Sequence, residues 1–153
     1  MQDDQKNAIR ESDGARRSSG IEKIMVRDVV SIHMDFTIAE AIACCSKMRI
    51  RHLPILNETG RLAGLVTDRD LRQVISPRLG TISENNSDRE SAGRSVHLMM
   101  VRRVVTASPE TPLAEAARLM LTNRVGCLPV IDKGRHVVGI VTTTDFLRHV
   151  AKG

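Results

Sequence analysis

The stretch "GLVTDRDL", Gly64 to Leu71, returns seventy-five residues later as "GIVTTTDF", Gly139 to Phe146. Each closes an apolar run with Thr, two variable residues, Asp and an apolar residue. Sliding the chain by the same offset brings three more stretches into register without a gap. "MVRDVVS" (Met25 to Ser31) falls on "MVRRVVT" (Met100 to Thr106), and "IAEA" (Ile38 to Ala41) on "LAEA" (Leu113 to Ala116). "HLPI" (His52 to Ile55) falls on "CLPV" (Cys127 to Val130). Four motifs in one order at one offset mark an internal duplication.

Each copy reads as the same succession of elements. In the first, residues 29–32 form a β-branched strand. Asp35 and Thr37 are N-cap residue types, and Ile38, Ala41, Ile42, Cys45 and Met48 follow at helical spacing. Residues 53–56 are a strand whose Pro54 sits at a start or an edge. Residues 57–60 ("NETG") are a turn, 62–67 a buried strand, and 68–75 a helix with acidic residues in its first turn. The second copy repeats this with strands at 104–107, 128–131 and 137–142 and helices at 113–124 and 143–151. The predicted fold class is α/β: two β-α-β-β-α units, each with one apolar face, packed against each other with pseudo-twofold symmetry. The expected division is a loose tail at 1–20, one repeat at 21–76, a flexible linker at 77–97 with a short helical piece, and a second repeat at 98–153.

Composition narrows the function classes. The chain has 153 residues, is 41% hydrophobic and carries a formal net charge of +5, with its basic residues spread along it. It has no Trp and no Tyr, only Phe36 and Phe146, so the aromatic platform that stacks unpaired bases is missing. Arg16–Arg17 and Arg102–Arg103 lack the context of a recognition helix, which argues against nucleic acid as the partner. No apolar run reaches the length of a membrane span, and the N-terminus has no signal-peptide core. A cytoplasmic protein is expected. Cys44, Cys45 and Cys127 make no CxxC, and the five histidines show no metal spacing; reduced core thiols and no metal are expected. No local signature of a nucleophilic triad or a Walker loop is present, so no catalysis is expected.

Thr-x-x-Asp supports two readings. As [ST]-x-x-[DE] ahead of an apolar helical run it is a capping box, with Thr67 and Thr142 as caps and Asp70 and Asp145 returning the bond. It also sets a hydroxyl and a carboxylate where a strand meets a helix N-terminus. There, free N–H groups favour an anion, the carboxylate can accept from a sugar diol, and the preceding glycine admits a close neighbour.

The chain resembles a tandem pair of cystathionine-β-synthase (CBS) domains, the Bateman module. The resemblance spans residues 24–75 and 98–151 and rests on "LPI" and "LPV", on Gly64 and Gly139, and on "GLVTDRD" and "GIVTTTD". It implies a non-catalytic regulatory module that binds adenosine-containing ligands in clefts between the repeats. AMP, ADP and ATP lead the list, followed by NAD-type dinucleotides, S-adenosylmethionine and cyclic dinucleotides. It further implies that Asp70 and Asp145 hold ribose hydroxyls, with Thr67 and Thr142 at the sugar or α-phosphate. The adenine then meets Val30–Ser31 and Val105–Thr106, with apolar contact from Ile55 and Val130. Arg51 and His52 resemble the family's phosphate contacts and are assigned to the Asp145 site, while Arg69 stays with Asp70. Because no regulated domain is attached, the chain is expected to act as a homodimer, through helix faces around Ile42–Cys45 and Leu113–Met120, or on a regulated protein in trans. The alternative is a ligand-free CBS-type dimerisation or docking module in which the Thr-x-x-Asp motifs are only caps.

Overall fold

The computed structural model describes residues 20–153. The expected tail, apart from Gly20, and Arg16–Arg17 lie outside the described residues. In the first repeat β1 (Ile32–His33) leads to α1 (Ile38–Met48), β2 (His52–Leu56), β3 (Leu62–Thr67) and α2 (Asp68–Val74). After α3 (Asn86–Gly93), the second repeat contributes α4 (Leu113–Asn123), β4 (Cys127–Ile131), β5 (Val137–Thr142) and α5 (Thr143–Lys152). The two hairpins are built alike: His52 pairs with Thr67 and Ile55 with Gly64, as Cys127 pairs with Thr142 and Val130 with Gly139. Each carries a register shift at the same place, Ile55/Leu56 and Val130/Ile131.

Helix starts follow local chemistry. Thr37 caps α1: its Oγ1 accepts from Glu40 N at 3.2 Å, and Glu40 Oε2 accepts from Thr37 N at 2.8 Å. The matching position before α4 is Pro112, whose φ of −57° is already set for helix entry. Both helices end on an arginine in the left-handed region, Arg49 and Arg124, each with φ 53°.

The first strand of each repeat is much shorter than expected. β1 pairs in parallel over only two residues, Ile32 with Ile55 and His33 with Leu56. The expected strand at 104–107 is a single parallel bridge, Ala107 to Val130. The chain just before these points crosses to the other repeat and leaves the sheet, so its β-branched residues have no ladder to join. The linker is also not a loose connection. Asn85 Oδ1 accepts from Asp88 N at 3.0 Å and Asp88 Oδ2 accepts from Asn85 N at 2.9 Å, a capping box that the sequence reading passed over. It starts α3, which packs on α1 and buries Ala92.

What joins the repeats is an exchange of their lead segments. Ile21 and Met25, at the head of the first repeat, pack in the core of the second with Ala116, Leu128, Val130 and Val141. Val96 and Met100, leading into the second repeat, pack in the core of the first with Ile38, Leu53, Ile55 and Leu71. The backbone crosses in the same way twice. Ile21 N donates to Thr111 O at 2.9 Å, and Val96 N to Phe36 O at 2.8 Å. Val26 pairs with Ile140, and Val101 with Leu65, extending each hairpin with a residue of the sister's lead. Ile21 and Val96 are both fully buried, a burial worth about 1.5–3 kcal/mol each.

The glycine of each motif serves this exchange. A Cβ on Gly64 would lie 2.7 Å from Met100 Cγ and 3.0 Å from the Val101 carbonyl oxygen. A Cβ on Gly139 would lie 2.9 Å from Met25 Cγ and 3.2 Å from Met25 Cε, so its nearest neighbours belong to the Met25 side chain. The close neighbour admitted by each glycine is thus a methionine of the sister repeat. Gly64→Ala meets backbone among its nearest atoms as well as a flexible side chain, so it is expected to cost about 1–3 kcal/mol in urea denaturation. Gly139→Ala, whose nearest atoms all belong to the adaptable Met25, is expected to cost less.

Candidate functional site: a groove between the repeats

The strand β3 delivers Thr67 and the first turn of α2 delivers Asp70 to a cleft of about 230 Å³. The opposite wall comes from the second repeat, through Val101, Arg103 and Val105 of its lead segment, through Arg124 and Gly126 ahead of β4, and through Cys127 at its start. His52 closes one end. A second cleft of about 520 Å³ begins on the other side of that residue. There Arg49, Ile50, Arg51 and His52 of the first repeat face Gly126, Ile140 and Thr142–Thr144 of the second. The two clefts therefore share His52 and Gly126. A Cβ placed on Gly126 would stand 3.5 Å from His52 Nε2, so the ring rests against the bare Gly126 backbone and divides one groove from the other.

The two Thr-x-x-Asp motifs have the same backbone and different side-chain partners. Thr67 Oγ1 accepts from Asp70 N at 3.1 Å, a simple N-cap. The Asp70 carboxylate is exposed and accepts no hydrogen bond among the described residues. In the second motif, Asp145 Oδ2 accepts from Thr142 N at 2.8 Å and from Thr142 Oγ1 at 2.9 Å. Asp145 Oδ1 pairs with Arg148 Nη1 at 3.3 Å, and the side chain is buried. Asp145 is thereby turned towards Lys23, Ile24, Arg148 and His149, away from the groove lined by Thr142. The helix N–H groups that the sequence left open to an anion are partly taken. Asp68 N donates to Arg51 O at 2.9 Å, and Thr143 N to Gly126 O at 3.1 Å, which ties each helix start to the loop ahead of β2 or β4.

The structure brings together Thr67, Asp70, His52 and Val105 in one cleft and Thr142, Arg51 and His52 in the other. It leaves the remaining expected contacts apart. Ile55 and Val130 are 0% exposed, each opposite the motif glycine in the sheet, so their assignment to a base is corrected to core packing. Arg69 stands exposed on α2, and it and Val30–Ser31 line neither cleft. Thr106 faces a separate cleft with Ser108, Glu110 and Asp132. Val105 and Thr106 make no backbone hydrogen bond among the described residues, which leaves their peptide groups available at the groove edge.

Three arginines escaped the sequence reading as groove residues: Arg49, Arg103 and Arg124. Arg103 has Asp28 at its sister position, so comparing the copies there would have flagged it. Arg49 and Arg124 were hidden because a left-handed helix end is ordinarily filled by Gly or Asn. Arginine in that conformation costs about 1 kcal/mol in backbone strain, and in both copies its side chain lines a cleft. The groove is therefore basic. Burial, and then the charge of Arg51, pulls the His52 imidazole below its ordinary 6.5. The unfolded chain thus binds this proton more readily, so His52 withdraws stability as pH falls below 6.5. Burial pushes the Cys127 thiol up to about 12, and burial followed by the Asp68 charge pushes Cys45 up to about 11. Both remain protonated and unreactive at neutral pH. Among the described residues no cluster of three or more His, Cys, Asp or Glu is arranged to hold a metal, and no helix is long and apolar enough to cross a membrane.

Comparison with known proteins places this architecture. The CBS domain model matches residues 21–77 and 94–152, and the chain belongs to the CBS domain family. It is 37% identical over 130 residues to a CBS domain-containing protein of Dictyostelium discoideum, covering 83% of this chain and 88% of that one. It is 33% identical over 128 residues to a homoserine O-acetyltransferase of Methanohalobium evestigatum, covering 84% of this chain but only 23% of that enzyme. Among solved structures it is similar to the CBS domain pair of protein MJ0100 in complex with 5′-methylthioadenosine and S-adenosyl-L-methionine. The two share 28% identity and a TM-score of 0.71 over 87% of this chain and 96% of that one. It shares its fold with CBSX2 in complex with AMP, at 21% identity and a TM-score of 0.72 over 87% and 96% of the two chains.

The different settings of the two aspartates separate a cap from an open carboxylate. In the absence of ligand, Asp145→Asn is expected to lose about 1 kcal/mol of stability with its cap and ion pair. Asp70→Asn is expected to change stability by less than about 0.5 kcal/mol, as an exposed side chain without a partner should. Urea denaturation of the two variants checks both values.

Proposed function

We propose that this CBS pair is a non-catalytic regulatory module that binds an adenosine-containing nucleotide in the inter-repeat groove, with the Thr67–Asp70 cleft as its ribose site. The observation that carries this reading is the Asp70 carboxylate, which stands open beside the Thr67 hydroxyl. A ribose diol donates to such a carboxylate. Across from it, Val105 offers an apolar wall and unpaired peptide groups to a base, which suits a chain without Trp or Tyr. Arg103 and Arg124 supply positive charge for phosphates, and His52 adds a hydrogen-bond donor. The same charge disfavours a sulfonium, so AMP, ADP or ATP is a better match than S-adenosylmethionine, although the MJ0100 pair holds the latter. Arg49 and Arg51 make the second cleft an anion site as well, but one that must do without Asp145 unless the cap opens. No further cofactor enters this reading.

The output follows from the exchange of lead segments. A ligand touching Val105, Arg103 and Asp70 at once binds both repeats, so it biases how they sit and what a regulated protein, met in trans or as a second copy, encounters. The residues first expected to form a homodimer, Cys45 and Met120 among them, are buried in their own cores. The apolar surface lies instead on α4 and α5, where Leu121, Leu147 and Val150 are exposed beside Phe146. On the matching helices of the first repeat Arg72 bonds both Asp68 and Ser46, and the exposed apolar side chains are fewer, Met48 and Val74. Association of two chains through α4 and α5 follows, in the cytoplasm where adenine nucleotides are plentiful. A ligand-free docking module is the second reading, favoured by the Asp145 carboxylate, whose oxygens are taken up by the helix cap and Arg148.

A dye-reported thermal melt tests the nucleotide reading. AMP, ADP or ATP at about 100 times its Kd is expected to add roughly 2.7 kcal/mol, a rise of about 5–10 °C, abolished by Asp70→Asn. No rise with any of the three leaves the docking module. Arg124→Gly, which relaxes the left-handed backbone, is expected to keep the ligand-free melting temperature while weakening ATP about tenfold by titration calorimetry. Leu121→Glu combined with Val150→Glu is expected to convert a dimer to a monomer in sedimentation velocity.

A further inference from the structure

His52 occupies a position that the duplication does not repeat. Its sister is Cys127, a buried thiol that burial keeps protonated. The groove thus has one titratable ring where its two clefts meet, and that ring lines both. We propose that His52 is a single hydrogen-bond donor shared by the two clefts, so that anions bound on either side of it are coupled through one proton. This rests on the reading of the clefts as anion sites.

The chemistry follows from the ring. Neutral imidazole has one N–H, and imidazolium has two. A neutral His52 therefore serves one cleft, and a protonated His52 serves both. The groups around it set the balance. Arg51 beside it opposes its protonation, and the other charged groups lining the two clefts are Arg49 from its own repeat, Arg103 and Arg124 from the other, and the open Asp70. Thr67, paired with it across the hairpin, and Thr142–Thr144 are uncharged. In the free protein burial and Arg51 keep the ring neutral at pH 7. A phosphate in either cleft offsets the arginines and raises the affinity of the ring for a proton. Binding then takes up a proton, so affinity rises as pH falls through the pKa of the bound state and levels off below that of the free state. The ring charged by the first anion presents its second N–H to the other cleft, which makes the two sites reinforce each other at low pH.

NMR titration of the histidine Cε1–H signals in the full chain tests this directly, with the His52 signal identified from its loss in His52→Gln. The probes are ATP and inorganic pyrophosphate, each followed from pH 5 to 8. The expected result is a rise in the His52 midpoint with either probe, and calorimetry in which a second equivalent of ATP binds several-fold more tightly at pH 6 than at pH 8. Binding of His52→Gln is expected to lose the rise in affinity at low pH and to follow only the titration of the phosphates themselves. ATP binding with an unmoved His52 midpoint overturns the shared donor and leaves the nucleotide reading standing. Pyrophosphate raising the midpoint while ATP fails to bind upholds the donor and overturns the nucleotide reading. An unmoved midpoint with no binding of either probe overturns both. The midpoint is read on the natural chain, so the test holds even if His52→Gln folds poorly.

Discussion

Two methionine side chains laid against two glycines hold this protein together. Met100 fills the space over Gly64, and Met25 the space over Gly139, so each repeat is completed by a segment belonging to the other. Everything functional hangs on that exchange. It takes the chain at 27–31 and 102–106 out of the sheets and across the interface. There the peptide groups of Val105 and Thr106 are unpaired, and Arg103 and Val105 come to face Thr67 and Asp70. Without the crossing each hairpin would end in an ordinary edge strand, and no groove would lie between the copies.

Duplication copied the backbone and left the side chains to diverge. Both motifs start a helix from the same threonine, yet the hydrogen bonds of their aspartates differ completely. One carboxylate is consumed by a cap and by Arg148, and the other is left open. The capping reading of Thr-x-x-Asp is met by both threonines, and only the first copy leaves its carboxylate open. The same divergence put Arg103 at the place of Asp28 and His52 at that of Cys127, so the groove is unsymmetrical in charge although the two hairpins share one register.

The repeat, the hairpins and the helices were legible because each rests on a local pattern: an apolar period, a cap residue, a turn. The bounds of β3 and β5, residues 62–67 and 137–142, match the expected strands. What failed has a common cause. β1 was expected over residues 29–32, because Val29 and Val30 have strand propensity. Whether they join a ladder depends on where the other repeat lies, which propensity does not record. Ile55 and Val130 were placed at a base by carrying a role across, whereas the register with Gly64 and Gly139 puts them in the core. Arg49 and Arg124 were passed over because a left-handed arginine contradicts the residue preference of a helix end. In α3, the box formed by Asn85 and Asp88 was present in the sequence but hidden in a polar stretch that read as a linker.

The exchange also fixes when the molecule can become complete. A chain leaving the ribosome presents Ile21 and Met25 long before the core that receives them, which is built from residues up to Val141. The first repeat, although all its own strands and helices have emerged by Val74, lacks Val96 and Met100 until the second repeat has begun. Neither half closes early, and the last to finish is the one that shelters Ile21 and Met25. Half-built chains therefore expose two unfinished apolar cores at once. Such a protein must be either whole or unfolded, with little room for a stable intermediate of one repeat.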